Sequence, residues 1–269
     1  MRPRKRFGQH FLHDPAVVAR IVRAVDPQPD DHLVEIGPGR GVLTRSLLPR
    51  GPASLDAVEI DRDLAAAQRG ELTAANFVLH EADALDFDYT ALAHARGAAL
   101  RVVGNLPYNI STPLLFHLLA DIAAIRDLHV MLQREVVARI TARPGTREYG
   151  RLTVMLAPWV VAERLFDIGP GAFQPPPRVW SALVRLTVRE RPAFSIHPRF
   201  GEIVATAFMH RRKTLRNSLQ ARLGAAAIEA CGLDPGARPE TLEPEAFNRL
   251  AAAAEAFAQR PSPRSAPMR

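Results

Sequence analysis

The chain has 269 residues, 47% of them hydrophobic, so one large domain, or a large and a small one, is within reach and global disorder is excluded. Its formal net charge is +7, and of 35 basic residues only Lys5 and Lys213 are lysines; guanidinium forks on phosphate and stacks on bases, which suits a nucleic-acid partner, although an Ala- and Arg-rich chain also arises from GC-rich coding DNA. A single cysteine, Cys231, excludes an intramolecular disulfide and a Cys-cluster zinc site and fits a reducing compartment, and neither a secretory signal nor an apolar run long enough to span a membrane is read anywhere.

From Asp14 to about Arg189 short apolar runs alternate with helical stretches. Asp14 is placed to cap a helix over DPAVVARIVRAV (14–25), with Pro15 at its first position. Strands are expected at HLVEIG (32–37), LDAVEI (55–60), NFVLHE (76–81), LRVVGN (100–105), DLHVMLQ (127–133), LTVMLAPWVV (152–161) and SALVRLTV (181–188). Strands alternating with helices predict an α/β fold, a mostly parallel sheet wound on both faces. The last two candidates are joined by a Gly/Pro-rich loop, residues 169–178, and are expected to form an antiparallel pair at the sheet's end. Beyond a linker at 189–200 the pattern is helical, broken at Gly224, at 232–238 and at Pro244. The expected division is thus a catalytic domain over 1–190, a small α-helical domain over 200–259 and a Pro/Ser/Arg-rich disordered tail over 260–269.

Three strand ends carry candidate ligand groups. VEIGPGRGVLT (34–44) follows the first strand and opens a helix, with glycines at 37, 39 and 41 and Val42 where a dinucleotide fingerprint wants its third glycine. Such a loop lets a ligand approach the backbone, or serves only as a tight strand-to-helix turn. Glu59 ends the next strand, 20 residues after Gly39, where an acid accepts from ribose hydroxyls. Asp83 follows the third strand and can accept from the exocyclic amine of adenine, or simply cap a helix. Together they fit an adenosine-bearing ligand, and Val42 with Asp83 favours S-adenosyl-L-methionine over NAD.

The fourth strand runs into Asn105-Leu106-Pro107-Tyr108. Pro107 cannot donate to a ladder and holds Leu106 extended, so the strand stops and Asn105 and Tyr108 stand at its end. One reading is a capped turn with a half-buried phenol. The other is catalytic. An adenine amine is a poor nucleophile, and the Asn105 oxygen with the Leu106 carbonyl can hold its hydrogens while Tyr108 stacks on the base.

The segments RKRFGQHFL (4–12), VEIGPGRG, VEIDRDL (58–64), EADAL, GNLPYNISTPLLFHLL, FQPPPRVWSALVRL (173–186) and AFMHRRKTLRNSL (207–219) occur in this order. Together they closely resemble the bacterial 16S ribosomal RNA adenine N6,N6-dimethyltransferase family over nearly the whole chain. The resemblance implies a class I, Rossmann-like methyltransferase sheet with a small helical C-terminal domain. It implies transfer of four methyl groups from S-adenosyl-L-methionine to two adjacent adenosines near the 3′ end of 16S rRNA, in the immature 30S particle, by a cytoplasmic monomer acting late in small-subunit biogenesis. Carried onto this sequence, the cofactor contacts are His10, Leu12, Gly37, Glu59, Asp83 and Asn105, and the catalytic turn is Asn105, Leu106, Pro107 and Tyr108. Many members have Asn where His10 stands; if the contact there is a side-chain hydrogen bond, His must supply it from a ring nitrogen, and if it is through the backbone the change is harmless. Expected rRNA contacts are Arg4, Lys5 and Arg6, Phe173 and Arg178, and Arg211, Arg212, Lys213 and Arg216; alone, the last cluster reads as a solvated helix face. The rivals are a 23S rRNA adenine methyltransferase sharing the NxPY turn, an organelle relative that doubles as a transcription factor, an NAD oxidoreductase, and a non-catalytic 30S assembly factor.

Overall fold

The computed structural model describes residues 9–210 and 212–258. In chain order the elements are β1 (Phe11–Leu12), α1 (Pro15–Val25), β2 (His32–Ile36), α2 (Val42–Leu47), β3 (Ser54–Glu59), α3 (Arg62–Glu71), β4 (Phe77–Glu81), α4 (Tyr89–Arg96), β5 (Leu100–Asn105), α5 (Ser111–Ala120), β6 (Ile125–Gln133), α6 (Arg134–Ile140), α7 (Arg151–Leu156), β7 (Val160–Ile168), β8 (Phe173–Gln174), β9 (Ser181–Val188), α8 (Phe200–Phe208), α9 (Leu215–Leu219), α10 (Ala225–Ala230) and α11 (Pro244–Ala258).

The main sheet has seven strands in the order β4-β3-β2-β5-β6-β9-β7. Its first five run parallel, and β9 is antiparallel to both β6 and β7. From β2 the chain winds outward through β3 and β4, then crosses to β5 on the other side. That reversal opens a crevice at the carboxyl ends of β2 and β5. The central strands are covered on both faces, which is why they read as apolar runs: Leu33, Val34, Leu100, Val102 and Val103 are fully buried. At the crevice end β2 and β5 approach too closely for a side chain. A Cβ on Gly104 would lie 2.5 Å from the Ile36 carbonyl oxygen. Helix α1 packs Val18, Ile21, Val22 and Val25 inward, and Asp14 Oδ1 accepts from the Ala16 and Val17 amides at 2.8 and 3.2 Å.

One local expectation is corrected. The apolar stretch 152–161 is not one strand: it forms α7, a turn, and only then β7. Short apolar runs do not distinguish a buried helix from a buried strand, and here Leu152, Val154 and Leu156 bury one side of a helix. A second, two-stranded sheet pairs β1 antiparallel with β8.

The described residues form two compact units. Those up to Thr141, with Trp159–Glu190, make the sheet unit; Ala142–Pro158 and those from Arg191 onward make the other. The segment 142–158 therefore packs with the helical unit, not with the sheet as the sequence division had it. There, Tyr149 and Val154 join Phe200, Ile203, Val204, Leu215, Leu219 and Phe247 in one core, and the Tyr149 hydroxyl donates to the Leu242 carbonyl at 2.7 Å. No helix among the described residues is long and apolar enough to cross a membrane. The tail over 260–269 lies outside the described residues.

Candidate active site

The carboxyl ends of β2, β3, β4 and β5 open on a cavity of about 140 Å³. Its floor is the glycine turn. Gly37, Gly39 and Gly41 all have positive φ, 64°, 58° and 68°, a backbone that L side chains rarely adopt. Gly39 has no room either: a Cβ there would meet the Phe11 ring at 3.0 Å. Glu59 ties this turn to β3. One carboxylate oxygen accepts from the Gly39 amide at 3.0 Å and the other from the Asp61 amide at 2.9 Å. A carboxylate offers about four lone-pair directions, so each oxygen retains acceptor capacity toward the cleft. Burial raises the Glu59 pKa above the ordinary carboxylate value, and the two amides oppose that shift. Asp83, just past β4, orients itself by accepting from the Leu85 amide at 2.9 Å; the next helix is capped by Asp88 instead.

Glu35 lines the same cleft. It is only 2% exposed, and its Oε2 has no hydrogen-bond partner among the described residues. Burial pushes its carboxyl up to about 7, with the Glu59 carboxylate adding to the effect. Its signal in the sequence is a lone acid inside the apolar run HLVEI, which by itself marks no more than a strand residue.

A second wall comes from the N-terminal segment, held by the β1–β8 pair. Leu12 and Phe173 lie opposite each other, as do Phe11 and Gln174. This brings His10 to the end of β5, where the Asn105 Nδ2 donates to the His10 main-chain oxygen at 2.7 Å. What Asn105 contacts at position 10 is thus the backbone. The His10 ring lies beside that of Tyr108, centroids 5.6 Å apart and 31° between planes. Its Nδ1 is 2.8 Å from the Pro175 carbonyl oxygen; a carbonyl only accepts, so Nδ1 carries the hydrogen.

The turn after β5 is braced by the Leu106 amide donating to the Met131 carbonyl at 3.2 Å and the Ile110 amide to the Pro107 carbonyl at 3.1 Å. Leu106 buries its side chain completely, so only its main chain is offered to the cleft. The Tyr108 hydroxyl lies 2.5 Å from Ser181 Oγ, and burial raises its pKa.

His10, Leu12, Gly37, Glu59, Asp83, Asn105, Leu106, Pro107 and Tyr108 therefore meet around one cavity. The expected RNA contacts divide. Arg178, Arg212, Lys213 and Arg216 are exposed. Phe173 is 2% exposed, in the core of the sheet unit and across from Leu12, so unlike these cations it is not on the surface. Arg4, Lys5, Arg6 and Arg211 lie outside the described residues. No cluster of three or more His, Cys, Asp or Glu among the described residues is arranged to hold a metal ion.

The sequence profile of the family described as ribosomal RNA adenine dimethylase matches residues 1–255. The chain belongs to that family. It is an rRNA adenine dimethyltransferase. A relative from Pseudomonas fluorescens, named ribosomal RNA small subunit methyltransferase A, is 52% identical over 266 residues, covering 97% of this chain and 96% of the relative. One of the same name from Methylococcus capsulatus is 53% identical over 242 residues, 89% of this chain and 93% of the relative. Among solved structures, the 23S rRNA methyltransferase ErmE superposes with a TM-score of 0.70 at 28% identity, covering 91% of this chain and 99% of that one. A dimethyladenosine transferase from Plasmodium falciparum gives 0.75 at 22% identity, over 90% of this chain and 96% of that one, a likeness of fold.

Proposed function

We propose that this dimethyltransferase uses S-adenosyl-L-methionine to methylate N6 of two adjacent adenosines near the 3′ end of 16S rRNA, in the immature 30S particle, as a late small-subunit biogenesis factor and a cytoplasmic monomer. The observation that carries the reading is the orientation of Asn105. Its amide nitrogen is spent on the His10 carbonyl, so Oδ1 is its acceptor at the rim of the cleft.

The cleft suits the cofactor. An orphaned, buried carboxylate oxygen on Glu35 is a partner for an ammonium group. Glu59 would take the ribose hydroxyls and Asp83 the adenine amine, with His10, Leu12 and Gly37 contributing main chain. The cofactor, when bound, supplies an electrophilic methyl on a sulfonium. The protein's own part is positioning. Asn105 Oδ1 and the Leu106 carbonyl accept the two hydrogens of the target N6 amine, turning its lone pair toward the cleft. The Tyr108 ring, steadied through its hydroxyl by Ser181, supports the base. A base in a duplex must first be extruded, at a cost of a few kcal/mol that stacking offsets in part. The proton leaves after transfer, so no strong base is required. Arg4, Lys5, Arg6, Arg178, Arg211, Arg212, Lys213 and Arg216 are the proposed phosphate contacts. The small-subunit assignment draws on relatives above half identity bearing that name, against 28% for the 23S enzyme.

The test is methyl transfer from labelled S-adenosylmethionine to unmethylated 30S particles, with the product nucleoside identified by mass. N6-dimethyladenosine in small-subunit rRNA, abolished by Asn105→Ala, is expected. Transfer to 23S rRNA alone would move the enzyme to the large subunit.

A further inference from the structure

Between β8 and β9 the chain runs Pro175-Pro176-Pro177-Arg178-Val179-Trp180 before entering β9 at Ser181. Pro177 is buried, whereas Arg178, Val179 and Trp180 are exposed, Trp180 by 49% and Val179 by 44%. Indoles are usually mostly buried, so a Trp with half its surface in water is informative.

Its place relative to the cleft is held at both ends of the segment. The Pro175 carbonyl accepts from His10 Nδ1 at 2.8 Å. Ser181, next to Trp180, holds the Tyr108 hydroxyl at 2.5 Å. Neighbouring residues of an extended chain point to opposite sides. With Ser181 turned to the catalytic turn, Trp180 faces away from it, and its ring lies along Gly169, where a Cβ would come within 3.6 Å of the indole. Trp180 is thus on the rim, outside the cavity that Asn105 lines, and one residue from a group that touches the catalytic tyrosine.

Two arginines are joined to it through the backbone. Arg178 is exposed, and so is Arg134, whose main-chain amide donates to the Trp180 carbonyl at 2.9 Å. Neither forms an ion pair within the described residues. An exposed aromatic ring with unpaired arginines on the same stretch and on the backbone bonded to it is the chemistry that holds single-stranded nucleic acid: the ring stacks on a base of any identity and the cations track the phosphates.

We infer that Trp180 stacks on an unpaired base adjoining the target adenosine, with Arg178 and Arg134 on the phosphates beside it. This deepens the proposed function and rests on it. When the target base turns into the cleft, its neighbour loses a stacking partner, and the indole supplies a replacement outside the site of chemistry.

The experiment compares Trp180→Phe with Trp180→Leu. Both fill space beside Gly169; only Phe offers a π face. Steady-state methylation of unmethylated 30S particles is measured, with S-adenosylmethionine affinity by calorimetry as the control for folding. The expected result is a rise in KM for the particle of about tenfold in the Leu variant and under about threefold in the Phe variant, with cofactor affinity held in both. Equal KM values for the two variants, at wild-type level or equally raised, overturn the inference. Wild-type protein that binds cofactor but methylates no small-subunit rRNA sinks the proposed function, and the inference falls with it; active wild type with indifferent variants sinks the inference alone.

Discussion

The Asn105 side chain donates to the main-chain oxygen of His10 at 2.7 Å, across 95 residues of chain. One bond joins the end of β5 to the segment that β1 anchors, and it decides which end of the amide points where. Because the acceptor is backbone, the imidazole of His10 has no part in it. Asn105→Ala is therefore expected to lower kcat by on the order of 100-fold or more, the scale for losing one preorganised polar group at a reacting centre, while His10→Asn stays within about threefold of wild type. The rates are read by methyl transfer at saturating cofactor. A His10→Asn loss as deep as that of Asn105→Ala would mean the ring, not the carbonyl, is what Asn105 depends on.

Gly104 is set by space rather than by conformation. Its absent Cβ would sit 2.5 Å from the Ile36 carbonyl oxygen, backbone that has no rotamer to retreat into. Gly104→Ala must push β2 and β5 apart just where they lead into Gly37 and Asn105. Overpacking of this kind costs about 1–3 kcal/mol, to be seen as a lower urea midpoint with unchanged slope. Cofactor affinity should fall alongside, since the displaced strand ends carry its proposed contacts. A midpoint equal to wild type would show that the pair relaxes freely.

Much of this site was legible because parallel strands buried on both faces announce themselves as apolar runs, and their ends fall at Gly37, Glu59, Asp83 and Asn105. What was hidden was non-local. The β1–β8 pair joins two-residue strands, too short for any periodicity, so neither the burial of Phe173 nor the approach of His10 to Asn105 could be read. Leu152–Val161 misled because Leu, Thr, Val and Met serve a buried helix as well as a strand. Its part up to Pro158 belongs to the helical unit, a long-range packing outcome that no composition shift marks. Glu35 was passed over since a carboxylate inside an apolar run declares its burial but not its missing partner.

Glu35 makes stability depend on pH. Burial raises its carboxyl from 4.5 to about 7, so the folded chain keeps a proton that the unfolded chain releases. The contribution is full below pH 4.5 and lost as pH rises through about 7, a total of about 3 kcal/mol. Glu35→Gln cannot titrate, and its unfolding free energy should lack this decline between about pH 4.5 and pH 7. The same variant is expected to bind S-adenosylmethionine about tenfold more weakly, since the proposed ammonium contact would draw the Glu35 carboxyl into its charged form and Gln has none. Parallel pH profiles for variant and wild type would show that Glu35 is ionised in the fold throughout.

Arg212, Lys213 and Arg216 are exposed at the start of α9 and form no ion pair within the described residues. A solvated helix face and a phosphate-binding face look alike in isolation, and salt separates them. Each phosphate neutralised releases condensed counterions, so the logarithm of affinity falls linearly with the logarithm of salt concentration, by close to one unit of slope per contact. Replacing all three with Ala should weaken 30S binding at low salt and flatten the slope by about two to three. Competitor RNAs should lose affinity in the same proportion, since phosphate contacts carry no sequence information. A slope unchanged in the triple variant would return these residues to the solvated face and leave the RNA to other cations of the chain.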